Sequence, residues 1–133
     1  MMKVLLLSHG NLAREMYETA SMIFGDLHDV SYLTLPYGTD LTVYKESVEK
    51  AIKGSDHTLV LVDLFGGSPF MISSQFIGMD EYKDKMEIVT GMNLSMVLEV
   101  ACRMNDSDLQ ELKETAINAG IHGVCDLKER LGQ

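Results

Sequence analysis

Two short segments concentrate the residue types that carry out group transfer. Ser8-His9-Gly10 ends one apolar run, and Asp63-Leu64-Phe65-Gly66-Gly67-Ser68-Pro69-Phe70 ends another. A neutral imidazole is a nucleophile near physiological pH. A carboxylate that accepts from one ring N–H fixes the tautomer, leaves the other nitrogen free and stabilises the charge that develops on the ring. His9 is therefore the candidate nucleophile and Asp63 the candidate orienting group. Gly66 and Gly67 let the backbone approach a ligand closely, and Ser68-Pro69 reads as an N-cap followed by proline at the first helical position. The amides around Ser68 and Phe70 then form a helix N-terminus that receives an anion, and a phosphoryl group suits it best. The dipole alone gives about 0.3–1 kcal/mol at exposed sites, so direct N–H bonds and positioning must supply most of the stabilisation.

These residues act together only if the chain brings the two segments side by side. Val4-Leu5-Leu6-Leu7 and Leu59-Val60-Leu61-Val62 are continuous apolar runs, the pattern of parallel strands covered on both faces. Val30 to Leu35 alternates and Glu87 to Thr90 is short with polar ends, as strands nearer an edge would be. Helical periods separate them. Leu12, Met16, Ala20, Ile23 and Phe24 share one face before Gly25, and Tyr44, Val48, Ala51 and Ile52 share one before Gly54. A third helix opens at Ser68 and reaches Ile77. Asn93 and Asp106 are expected to cap two more, with Leu94, Val97, Leu98 and Ala101 inward in one and Leu109, Leu112 and Ala116 in the other. Gly120 is expected to end the last, leaving Ile121 to Leu127 as an extra edge strand.

Strands alternating with helices predict an α/β fold, a doubly wound parallel sheet of flavodoxin-like three-layer form. With the two apolar runs as central neighbours, the strand order is 2-1-3-4. The winding then reverses between the first and third strands, opening a crevice at their carboxyl ends. Neighbouring strands lie about 4.8 Å apart, so His9 and Asp63 are within reach of one another. Taken singly, each part has a plainer use: a turn histidine, a loop carboxylate, a helix entrance. Their convergence at one end of adjacent strands favours the chemical reading. Tyr37-Gly38 and Gly91-Met92-Asn93 follow the second and fourth strands, so they either rim the crevice or merely connect elements, with Asn93 as a cap. His28, His57 and His122 fall in turns, loops or near the chain end and carry no such role.

Composition narrows the function class. The 133 residues fit a single domain over 1–133, with no linker, repeat or low-complexity run to divide them. With 11 Lys+Arg against 20 Asp+Glu, the net charge of -9 argues against nucleic-acid or anionic-lipid binding. The short apolar start suits neither a signal peptide nor a membrane span, so a cytoplasmic protein is expected. Cys102 and Cys125 form no C-x-x-C pair and read as free buried thiols rather than a disulfide or metal site. The 10 methionines read as core filling. Neither G-x-G-x-x-G nor G-x-x-x-x-G-K-[ST] occurs, which weakens nucleotide or flavin binding. A receiver domain would need acidic residues clustered at the first strand end, and a histidine phosphatase an arginine where Ser8 stands.

Ser8-His9-Gly10, the Asp63 to Phe70 segment and Gly91-Met92-Asn93-Leu94 together resemble the EIIA component of the mannose family of the bacterial phosphoenolpyruvate-dependent sugar phosphotransferase system. The likeness spans nearly the whole chain. It implies that His9 takes a phosphoryl group from the phosphocarrier protein HPr and passes it to a histidine on EIIB, with Asp63 as its hydrogen-bond partner. Gly66, Gly67 and Ser68 would hold the phosphoryl group, and Phe65 and Met92 would be docking residues for the partners. The resemblance further implies a homodimer, indirect coupling to membrane EIIC and EIID, and no metal or cofactor. Met71 stands where the family commonly has Asn, and Ser95 where it often has Pro, which bears on helix packing and subfamily more than on chemistry. Sugar choice lies mainly with the partners, leaving mannose, fructose, sorbose, an amino sugar or gluconate open. Alternative readings are the phosphotransferase subunit that feeds dihydroxyacetone kinase, and a non-catalytic partner-binding module.

Overall fold

The computed structural model describes residues 1–133. In chain order the elements are β1 (Met2–His9), α1 (Leu12–Phe24), β2 (Val30–Leu35), α2 (Leu41–Ile52), β3 (His57–Val62), α3 (Ser68–Ile77), β4 (Met86–Thr90), α4 (Leu94–Arg103), α5 (Leu109–His122) and α6 (Leu127–Arg130), with a 3-10 turn at Met104–Asp106. The four strands form one parallel sheet in the order β2-β1-β3-β4. Leu7 pairs with Leu33 on one side and Val62 on the other, so β1 runs two residues past the end of β3, and Asp63 follows β3 at the same end of the sheet as His9.

The continuous apolar runs are explained by two cores. Val4, Leu6, Leu59 and Leu61 face α1, α4 and α5, while Leu5, Leu7, Val60 and Val62 face α2 and α3, where Tyr44, Val48, Ile72 and Phe76 meet them. Alternate side chains of a strand point to opposite faces, so a strand buried on both sides has no polar positions to spare. The result is a doubly wound, flavodoxin-like three-layer sandwich. No helix is long and apolar enough to cross a membrane.

Several local expectations are corrected. The inward face of α1 is Ala13 and Ala20 with Met16 and Tyr17 beside them, whereas Leu12, Ile23 and Phe24 are exposed. Small alanines let the helix lie close to the sheet, and the large apolar residues overhang its two ends. On α4 the buried stripe is Met96, Val97, Val100 and Ala101, with Leu94 and Leu98 only half-buried. Asp108, not Asp106, caps α5, because Glu111 three residues on completes a reciprocal capping box and Met104 draws the preceding turn into the core.

The expected edge strand over 121–127 does not form. Gly120 sits inside α5 as a packing glycine: a Cβ there would lie 2.7 Å from Met96 Cε. The helix therefore runs on to His122, and Gly123 caps it. Asp126 then caps α6, accepting from the Glu129 N–H at 2.9 Å. His57 opens β3 rather than lying in a loop, and is exposed. Both cysteines are free but exposed, since Cys102 falls on the outer side of α4 and Cys125 in the loop after α5. Methionine filling holds for Met86, Met92, Met96 and Met104, while Met22 and Met71 are exposed.

Candidate active site

The two chemistry-bearing segments meet where the sheet winding reverses. Asp63 leaves β3 with its N–H donating to the Leu7 carbonyl at 3.1 Å, which seats it beside the last residue of β1. One carboxylate oxygen, Oδ2, accepts two bonds from His9: the backbone N–H at 3.0 Å and ring Nδ1 at 3.0 Å. Because a carboxylate only accepts, Nδ1 carries the hydrogen and Nε2 of the neutral ring bears the free lone pair. The Asp63 side chain is 11% exposed and that of His9 is 46% exposed. The candidate orienting group is thus shielded, and the candidate nucleophile is open to solvent. Asp63 Oδ1 is buried and has no hydrogen-bond partner.

The free face of the ring lies on the glycine loop. A Cβ at position 67 would stand 2.4 Å from His9 Cε1 and 2.8 Å from Nε2, so no residue with a side chain fits without moving the imidazole. Gly66 makes the turn before it at φ +86°, a conformation that favours glycine. The N-cap of α3 is Gly67 rather than Ser68, and proline falls at the second helical residue. The first helical bond, Met71 N–H to the Gly67 carbonyl at 2.8 Å, leaves the N–H groups of Ser68 and Phe70 unclaimed at the helix start. An anion beside Nε2 would find these donors and the positive end of the helix dipole.

The strand-to-helix turn after His9 is held by Ser8, to which sequence reading gave no such role. Its buried Oγ accepts the Ala13 N–H at 2.6 Å, while the α1 N-cap residue Asn11 makes no side-chain cap. The signal is a serine five residues before the first buried position of the helix. Gly10 is tied to β2 by its N–H donating to the Leu35 carbonyl at 2.8 Å. Beside the ring opens a cleft of about 440 Å³, lined by His9, Gly10, Leu35 to Thr39, Leu41 and Ser68. Tyr37 and Gly38 therefore do rim the crevice.

The other candidates separate. Phe65 is 73% exposed beside the site and stacks on Phe70 with ring centroids 4.6 Å apart. Met92 is only 7% exposed and belongs to the core on the α1 and α4 face, so it offers no docking surface. Asn93 is a structural cap: its Oδ1 accepts the Met96 N–H at 2.9 Å and its Nδ2 donates to the Gly120 carbonyl at 2.9 Å. His28, His57 and His122 are exposed and make no hydrogen bond to the pair; His122 Nδ1 is instead bonded to the Asn118 carbonyl. No group of three or more His, Cys, Asp or Glu side chains is placed to hold a metal ion.

Comparison with known proteins places the chain in a family. A family model described as EIIA-man, PTS system fructose IIA component, matches residues 3–117. The mannose-specific EIIAB component of Escherichia coli is 31% identical over 127 residues, covering 92% of this chain and 38% of that protein. The chain thus spans well under half the length of that relative. The fructose-specific EIIA component of Bacillus subtilis is 30% identical over 115 residues, covering 84% of this chain and 77% of that protein. The crystal structure of a phosphotransferase system EIIA component from Streptococcus agalactiae superposes with a TM-score of 0.90 at 26% identity, covering 97% of this chain and 99% of that one. With its sheet order, its crevice and a family match over most of its length, the chain belongs to the mannose-type EIIA family of the sugar phosphotransferase system.

Proposed function

We propose that His9 is the phosphoryl carrier, taking the group from phosphorylated HPr and passing it to a histidine on EIIB in support of sugar uptake through EIIC and EIID. The observation that carries this reading is the Nδ1 to Asp63 bond of 3.0 Å, which leaves Nε2 as the free nitrogen against Gly67. The Nε2 lone pair attacks the phosphorus of phospho-HPr in line, a new N–P bond forms, and the N–P bond to the HPr imidazole breaks. The proton on Nδ1 stays in its bond to Asp63, whose charge offsets that of the phosphorylated ring. Gly67, Ser68 and Phe70 contribute amides to the phosphoryl oxygens, and Gly66 shapes the loop. Transfer to EIIB runs the same steps with the partner histidine as nucleophile. No metal or cofactor enters the scheme.

Phe65, with the exposed Leu12, Tyr37, Leu41 and Leu64, forms an apolar rim on which HPr and EIIB would close over the crevice. The outer edge of β4 is unpaired within the chain, and Ile117, Ile121 and Val124 line an open groove beside it, which supports a homodimer formed over that edge. We take residues 1–133 as one carrier domain working in the cytoplasm. The test is incubation with phosphoenolpyruvate, Enzyme I and HPr, followed by intact mass. An acid-labile phosphoryl adduct on the wild type and none on His9→Ala is expected. No adduct on folded wild type with active HPr would overturn the reading in favour of a non-catalytic module or a carrier with another donor.

A further inference from the structure

Two side-chain oxygens are buried without a hydrogen-bond partner, Asp63 Oδ1 and the hydroxyl of Tyr44. A buried polar atom left unpaired is costly, so two together point to a shared partner. Tyr44 lies in the first turn of α2, is 3% exposed, and packs in the same core as Leu7 and as Val62, the last residue of β3 and the immediate neighbour of Asp63. The hydroxyl can donate and the carboxylate oxygen can only accept, so their hydrogen-bonding needs are complementary. The Asp63 charge also acts on the phenol: burial first, and that carboxylate second, push the Tyr44 pKa above its usual value, which keeps the hydroxyl proton in place.

We propose that Tyr44 is a positioning residue for the transfer reaction, its hydroxyl holding Asp63 Oδ1 through one bridging water while Oδ2 holds His9. A carboxylate fixed at both oxygens presents Oδ2 at a constant angle to Nδ1, and so holds Nε2 in line for the incoming phosphorus. The two oxygens make no direct hydrogen bond, and one buried water between them would satisfy both. Phenylalanine at position 44 would keep the buried ring but could supply no donor. This role rests on the carrier reading, but the interaction itself does not.

The test uses Tyr44→Phe, which keeps the ring and removes only the donor, alone and combined with Asp63→Ala. Phosphorylation of His9 in Tyr44→Phe is expected to slow about tenfold with an unchanged circular dichroism spectrum. Unfolding in urea decides the interaction without any transfer assay. The urea midpoint should fall in Tyr44→Phe, because Oδ1 is then left buried and unpaired, and the second substitution should abolish that difference. An unchanged or higher midpoint in Tyr44→Phe, or the same drop in both backgrounds, overturns the proposal. A transfer rate within twofold of wild type also overturns it. Failure of the wild type to accept a phosphoryl group would instead count against the carrier reading, with the urea series still deciding whether Tyr44 holds Asp63.

Discussion

Replacing Gly67 with alanine places a methyl group against the His9 ring. The backbone there, at φ -77° and ψ 173°, is one that alanine adopts without strain, so the perturbation falls on the imidazole alone. The new Cβ would lie 2.4 Å from His9 Cε1, and ordinary contact begins at 3.4 Å, so the ring must retreat by about 1 Å. A shift of that size disturbs the alignment of Nδ1 on Asp63 Oδ2, now 3.0 Å away. It also carries Nε2 away from the amides of α3. A misplacement of this size costs about a hundredfold in rate. Folding should be nearly untouched, because the His9 side chain is already 46% exposed and can turn into solvent. We therefore expect Gly67→Ala to take a phosphoryl group from phospho-HPr about a hundredfold more slowly in rapid-quench experiments, with unfolding free energy changed by less than about 0.5 kcal/mol. A transfer rate within twofold of wild type, with the Nδ1 proton still bonded in the NMR spectrum, would refute the close-approach role of Gly67.

Other expectations follow from the same geometry. Asp63→Asn should slow transfer about 10–100-fold while leaving the fold intact by circular dichroism, and an unchanged rate would remove Asp63 from the mechanism. Asn93→Ala removes the α4 cap and orphans the Gly120 carbonyl, so urea unfolding should show a loss of about 2–3 kcal/mol; a loss below about 0.5 kcal/mol would mean the contact between α4 and α5 does not depend on it. Burial, reinforced by the Glu81 and Glu49 charges, pushes the Tyr82 phenol up to about 12. A phenol whose pKa is raised by folding contributes stability that is complete below its ordinary value near 10 and is lost as pH rises toward the folded value. The urea midpoint should accordingly decline between about pH 10 and 12, and the decline should be shallower in Tyr82→Phe.

The sheet order was legible because Val4 to Leu7 and Leu59 to Val62 have no polar position, which only strands covered on both faces tolerate. The meeting of His9 with Asp63 followed from that order, since both residues leave neighbouring strands at the same end. What escaped was set by packing between distant parts. Gly120 carries the local signature of a helix stop, but Met96 on α4 takes the space where its Cβ would be, and α5 continues through it. The periodicity of α1 admits two faces, and the sheet selects the one bearing Ala13 and Ala20. Met92 follows a strand at the crevice end, as a rim residue would, yet its side chain turns down into the core. Asp106 and Asp108 are equally good caps in isolation, and only the pairing of Asp108 with Glu111 separates them.

The most direct test is nitrogen-15 NMR of the phosphorylated protein, which identifies the ring nitrogen that carries the phosphoryl group. The proposed carrier role predicts phosphorylation of His9 at Nε2, with Nδ1 protonated and still bonded to Asp63. A phosphoryl group on Nδ1, or on any histidine other than His9, would contradict the proposed geometry of transfer.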